Sequence, residues 1–192
     1  AEPARTEDEY SGVRITITAE IAGARLPIQI DIGFGDAVTP AVLEINYPSL
    51  LDMPAPRLRA YPPETVVAEK FQALVALGML NSRMKDFFDL WAISETFAFD
   101  GPVLADAIAA TFDRRHTTIP VDTPVALTPA FAEDAAKRAQ WQGFLRRTAL
   151  SMAPGPFSEM QAKVATFVLP PVQALVVGKP FECKWVIGGP WK

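Results

Sequence analysis

The stretch VRITITAEIAGARLPIQIDI, residues 13–32, decides how the chain begins to fold. Val13, Ile15, Ile17, Ala19 and Ile21 alternate with Arg14, Thr16, Thr18 and Glu20, a period of two with β-branched residues on both faces. Ala22-Gly23-Ala24-Arg25 supplies a turn. Leu26, Ile28, Ile30 and Ile32 then alternate with Gln29 and Asp31. The two runs predict an antiparallel hairpin. Pro27 has no N–H to donate, which places it at a sheet edge or at a strand's start. The alternation sends Asp31 out on the polar face, just before Gly33-Phe34-Gly35-Asp36, whose glycines allow a sharp turn or a close approach to a ligand. Such an aspartate is either a solvated strand residue or a metal or ligand site.

Working outward, residues 47–63 carry Pro48, Pro54, Pro56, Pro62 and Pro63. They read as an extended crossing with a short strand around Arg57-Leu58-Arg59-Ala60. A helix follows: Pro63 suits its first turn, Glu64 its positive end, and Val66, Val67, Ala73, Leu74 and Leu77 form one stripe that Gly78 can close. Lys70 falls within that stripe, either snorkelling its stem along the core or aimed into a cleft. The next helix starts near Asn81 or Ser82 and buries Met84, Phe87, Phe88 and Trp91. Arg83, Asp86 and Asp89 recur every three residues along it, and Lys85 stands four before Asp89. The remainder predicts helices over about 102–115, 129–150 and 157–169, the last stopped by Pro170-Pro171. Phe181, Trp185 and Trp191 read as an aromatic plug, with RNA stacking the competing use of the rings.

Composition bounds the function classes. A chain of 192 residues, 49% hydrophobic and 21% charged, can bury a sizeable core and is not a disordered polymer. One cysteine, Cys183, forms no internal disulfide, and with the single His116 it cannot build a zinc site of about four nitrogen or sulfur ligands. No apolar run reaches a membrane span, and residues 1–5 lack the order of a signal peptide. A protein of the reducing cytoplasm is expected. Residues 1–100 hold 15 acidic and 8 basic side chains, whereas residues 101–192 hold 7 and 10. Basic pairs at Arg114-Arg115, Lys137-Arg138 and Arg146-Arg147 suit either solvated helix surfaces or a polyanion. Phosphate-loop, dinucleotide-fingerprint and nucleophile-elbow motifs are absent, and a triad built on His116 has no support.

Four short motifs occur in a specific order: Gln29-Ile30-Asp31-Ile32-Gly33-Phe34-Gly35-Asp36, then Tyr47-Pro48 and Tyr61-Pro62-Pro63-Glu64-Thr65, then Ala68-Glu69-Lys70-Phe71, then Ser82-Arg83-Met84-Lys85-Asp86-Phe87-Phe88-Asp89-Leu90. This order resembles the AbiEii-type family of nucleotidyltransferase toxins from abortive-infection and toxin–antitoxin systems. The resemblance covers residues 10 to 95 closely and the helical tail more loosely, including the stretch from Trp185 to Trp191.

The resemblance implies an α+β fold. An incomplete mixed sheet with its hairpin would occupy residues 1–62, and a mostly helical part over 63–192 would complete the cleft of one continuous domain. It implies transfer of a nucleotide from a nucleoside triphosphate to an acceptor such as RNA, with Mg²⁺ as cofactor. By that resemblance Asp31 is a metal-binding carboxylate and Lys70 meets the triphosphate. Arg83 and Lys85 contact phosphates, and Asp86 and Asp89 orient those cations or bind sugar or base. Asp31, Lys70 and Asp86 would be the catalytic set. Members of this fold open with a glycine-rich turn leading to an Asp-x-Asp pair, which residues 1–30 do not match. The resemblance therefore also implies a chain starting partway through the family's domain and weak or inactive alone. A non-catalytic nucleotide- or RNA-binding module is the alternative, and a structural partner completing another such chain is a third. A cognate antitoxin, and a second copy pairing at the exposed sheet edge, are the expected protein partners.

Overall fold

The computed structural model describes residues 2–3, 12–150 and 152–192. Residues 1 and 4–11, part of the stretch read for a leader and for a metal-binding opening, lie outside the described residues. The chain divides into two compact units, Ala1–Asp36 and Ala37–Lys192.

The first unit is the hairpin. β1 (Glu2–Pro3) pairs briefly with β2 (Val13–Ile21), which pairs along its length with β3 (Ala24–Ile32). The connection is a two-residue turn with both central residues at positive φ, Ala22 at 49° and Gly23 at 82°, matching the right-handed twist of the strands. The register sets Ile15 opposite Ile30 and Ile17 opposite Ile28, so one face is continuous apolar surface. Ile17, Leu26, Ile28 and Ile30 on it are exposed. Strand order leaves β3 at the edge, where a strand can accept Pro27.

The second unit is mostly helical. β4 (Leu43–Asn46) pairs antiparallel with β5 (Arg57–Ala60) and leads into α1 (Pro63–Leu77). The Thr65 hydroxyl donates to Thr39 O at 2.8 Å and accepts the Thr39 N–H at 3.0 Å, tying the approach loop to the helix start. Gly78, at φ 48°, ends α1 with its N–H on Leu74 O. α2 (Met84–Thr96), β6 (Phe99–Asp100), α3 (Gly101–Arg114), α4 (Pro129–Glu133), α5 (Ala135–Arg147), α6 (Phe157–Val176) and β7 (Lys184–Trp185) follow. One core joins Val67, Phe71 and Leu74 of α1 to Phe87 and Leu90 of α2, Leu104, Ile108 and Phe112 of α3, and Val164, Phe167 and Val168 of α6. The expected plug forms: Trp185 Nε1 donates to Ser94 O at 2.8 Å, Trp191 Nε1 donates to Phe167 O at 2.9 Å, and both rings pack on Phe167.

The class is α+β, as expected, but several details differ. Strands pair antiparallel throughout the described residues, in three small sheets rather than one mixed sheet. α1 buries Val67, Ala68, Phe71 and Leu74, leaving Leu77 exposed, so the apolar stripe is rotated from the predicted one and Lys70 stands at its margin. The helix expected over 129–150 is two helices, because Asp134 breaks the run and caps the second by accepting the Lys137 N–H at 2.9 Å. α6 continues through Pro170-Pro171 to Val176. Each proline forfeits a backbone hydrogen bond, but Pro171 is buried beside Val168 and Val172. Burial of the face from Phe157 to Val172 outweighs that loss at about 1.5–3 kcal/mol per large apolar side chain.

Candidate functional site

The site grows from two helix surfaces in the second unit. Lys70 projects from the margin of the buried face of α1. Asp86 and Asp89, three residues apart, lie one turn above the other on α2 and face it. Lys70 Nζ donates to Asp86 Oδ1 at 2.8 Å and pairs with Asp89 Oδ2 at 2.7 Å. The Asp86 side chain is only 4% exposed and that of Lys70 20%, so this is an ion pair held out of bulk water. Arg83 Nε stands 2.7 Å from Asp86 Oδ2, and Lys85 Nζ 2.6 Å from Asp89 Oδ2. The Arg83 contact lacks hydrogen-bond geometry, so Asp86 Oδ2 has charge compensation but no hydrogen-bond donor. Glu69, the neighbour of Lys70, pairs with Arg115 of the α3 C-terminus.

The loop ahead of α2 fixes this row. Asn81 is fully buried, and its Oδ1 accepts the Arg83 N–H at 2.7 Å. The helix therefore starts at Met84 rather than at Asn81 or Ser82, because Asn81 turns the chain before the helix instead of capping it. Lys137 of α5, itself buried, donates from Nζ to Asn81 O at 2.8 Å and lies over the Phe131 ring. α5 thus clamps the turn from which Arg83 and Asp86 emerge.

Burial lowers the pKa of Lys70, but the hydrogen bonds and charges of Asp86 and Asp89 raise it further, and the net shift is upward from 10.5. A folded-state pKa above the unfolded value means this contribution to stability is complete below pH 10.5 and lost as pH rises through the folded value. Wild-type Tm should therefore fall more steeply above pH 10.5 than that of Lys70→Met, and parallel curves would show the ammonium to be uncoupled from folding.

Beside the row lies a cavity of about 500 Å³ lined by Ser82, Arg83, Met84, Lys85 and Asp86 from the start of α2 and by Gln140, Phe144 and Arg147 from α5. Sequence reasoning brought Lys70, Arg83, Lys85, Asp86 and Asp89 forward, and they meet. It noted Lys137 and Arg147 only as members of basic pairs suited to a polyanion, and it missed Gln140 and Phe144, whose signal was their i, i+4 spacing, with Arg147 at i+7, on one face of α5.

Asp31 belongs to the first unit, on the polar face of the hairpin. Its carboxylate accepts from Arg14 Nε at 2.7 Å, from Arg14 Nη2 at 3.0 Å and from Gln29 Nε2 at 3.1 Å. Among the described residues no three His, Cys, Asp or Glu side chains gather into a group able to hold a metal ion. Asp86 and Asp89 already hold an ammonium between them. These residues do not make up a Mg²⁺ site. No helix among the described residues is long and apolar enough to cross a membrane.

One family model matches: nucleotidyl transferase AbiEii toxin of a type IV toxin–antitoxin system, over residues 1–166. No curated protein and no solved structure gives a match.

Proposed function

The chain belongs to the AbiEii family of nucleotidyl transferase toxins, and from that membership we propose that its α1–α2 surface receives the phosphates of a nucleoside triphosphate. The observation that carries this is the Lys70 ammonium, fixed by Asp86 at 2.8 Å and by Asp89 at 2.7 Å, with Arg83 on the other oxygen of Asp86 and Lys85 sharing Oδ2 of Asp89. Three cations set around two carboxylates leave the row net positive. Preorganised cations stabilise charge as it develops, because no reorganisation is needed at the moment of reaction. In nucleotidyl transfer an acceptor hydroxyl oxygen bonds to the α-phosphorus, the α–β phosphoanhydride bond breaks, pyrophosphate leaves, and the hydroxyl proton passes to solvent water. Lys70, Arg83 and Lys85 hold the departing charge. Asp86 and Asp89 are positioning residues for these cations. For Asp31 the proposal is narrower: one carboxylate, which a metal centre would have to complete with ligands from outside the described residues.

The pairing of Asp31 with Arg14, and of Asp86 and Asp89 with cations, favours a second reading, a non-catalytic module that keeps nucleotide or RNA affinity. The two are separated by measuring nucleoside triphosphate binding, with and without Mg²⁺, beside incorporation of labelled nucleotide into total cellular RNA. Saturable binding with incorporation supports transfer. Binding without incorporation selects the module. No binding at millimolar triphosphate rejects transfer and the nucleotide-binding module, and no retention of single-stranded RNA rejects the RNA-binding one.

Family membership also supports a cognate antitoxin as partner. A second copy is proposed at the edge of β3, which pairs with no further strand among the described residues. Antiparallel pairing centred on Ile28 would place Arg25 opposite the partner's Asp31, extending the Arg14–Asp31 and Glu20–Arg25 ion pairs into rows of alternating charge. Concentration-dependent sedimentation, abolished by Ile28→Lys, is the expected result. A concentration-independent monomer would reject it.

A further inference from the structure

Building on the phosphate-binding reading above, we propose that the Gln140–Phe144–Arg147 face of α5 is the wall on which the nucleobase of the bound nucleotide rests. The base would stack on the Phe144 ring, and Arg147 would meet the phosphates from the side opposite Arg83.

Three features converge on this. The cavity, about 500 Å³, lies within the range of about 300–1,000 Å³ typical of small-ligand sites. Its lining includes three cations, Arg83, Lys85 and Arg147, against the one carboxylate of Asp86, so an anion is attracted to it. Phe144 is the aromatic ring among the lining side chains, and Phe88 and Trp141 pack beside it at centroid separations of 5.8 and 5.4 Å. Those neighbours hold the ring in place, so little side-chain freedom remains to be lost when a base stacks on it. A bare triphosphate offers phosphate oxygens alone, so it would meet the cations and leave the ring uncovered.

The test compares equilibrium binding of nucleoside triphosphates with that of inorganic tripolyphosphate, which lacks base and sugar, using wild type, Phe144→Leu and Arg147→Gln. Phe144→Leu keeps apolar volume between Phe88 and Trp141, avoiding the cavity that alanine would leave. It should weaken the triphosphates by about tenfold or more, in keeping with base–aromatic stacking, and leave tripolyphosphate unchanged. Arg147→Gln should weaken both by similar factors. If wild type binds tripolyphosphate as tightly as the nucleotides, or if Phe144→Leu affects both ligands equally, the base wall is wrong while the phosphate reading stands. If wild type binds neither, the phosphate reading falls first. If Phe144→Leu weakens a single-stranded RNA but no mononucleotide, the ring serves an RNA chain and the proposal is overturned.

Discussion

Lys70→Ala is expected to lower nucleoside triphosphate affinity by an order of magnitude or more and to lower stability as well. The stability loss arises because Asp86, 3% exposed, loses the hydrogen bond and the counter-charge of Lys70 Nζ. Breaking a buried ion pair by removing one partner costs about 3–5 kcal/mol. Arg83 and Lys85 remain to compensate, which places the expected loss nearer about 2–3 kcal/mol, and at about 2–4 °C per kcal/mol for a chain this long it is visible as a lower Tm. Lys70→Met separates this account from snorkelling. Methionine keeps the apolar stem, so a snorkelling lysine would tolerate the change, whereas an ion-paired one would not. Lys70→Arg restores a charge but not the compact ammonium that fits between two carboxylates, so it should recover stability more fully than binding. Wild-type affinity in Lys70→Ala would remove the lysine from the site.

How far the sequence foretold this site depended on whether the signal was local. The period of two over residues 13–32 specified the hairpin because side-chain direction along a strand depends only on neighbours in sequence. The spacing of Arg83, Asp86 and Asp89 likewise put these residues in one row before any packing was known. Lys70 was harder. Its place at the margin of the buried face follows from how α1 rotates against α2 and α3, so both the stripe assigned to α1 and the choice between snorkelling and pointing into a cleft were left to tertiary structure. The α5 wall was least legible. Gln140 and Phe144 carry no motif, Arg147 carries only its basic pair with Arg146, and their relation to Arg83 runs through Lys137 reaching Asn81 across 56 positions. The prolines of α6 misled for the same reason: a local penalty was read without the burial that outweighs it.

Gly101→Ala is expected to be the most disruptive small substitution in the second unit. Gly101 opens α3, and its N–H donates to Cys183 O at 2.8 Å, where β6 meets β7. A Cβ there would intrude on the carbonyl oxygens of both Phe181 and Cys183 and come within 2.7 Å of Phe181 Cδ1. Backbone carbonyls cannot swing aside as a flexible side chain does, so the C-terminal segment must shift. That segment carries Trp185, which is 2% exposed and packs on Phe167 at a 4.8 Å centroid separation, and Trp191, which donates to Phe167 O. Alanine's better helix propensity returns at most about 1 kcal/mol. Overpacking with loss of the aromatic contacts costs more, leaving a net destabilisation of about 2–4 kcal/mol. The expected result is a lower Tm with red-shifted tryptophan emission as Trp185 and Trp191 meet water. The same variant tests the two uses of the plug. If the rings served RNA by stacking, freeing them would raise RNA affinity, whereas rings that pack the core give a less stable protein with RNA affinity no higher than wild type. Unchanged Tm and emission would mean that the C-terminal segment is not seated against α3 as the structure places it.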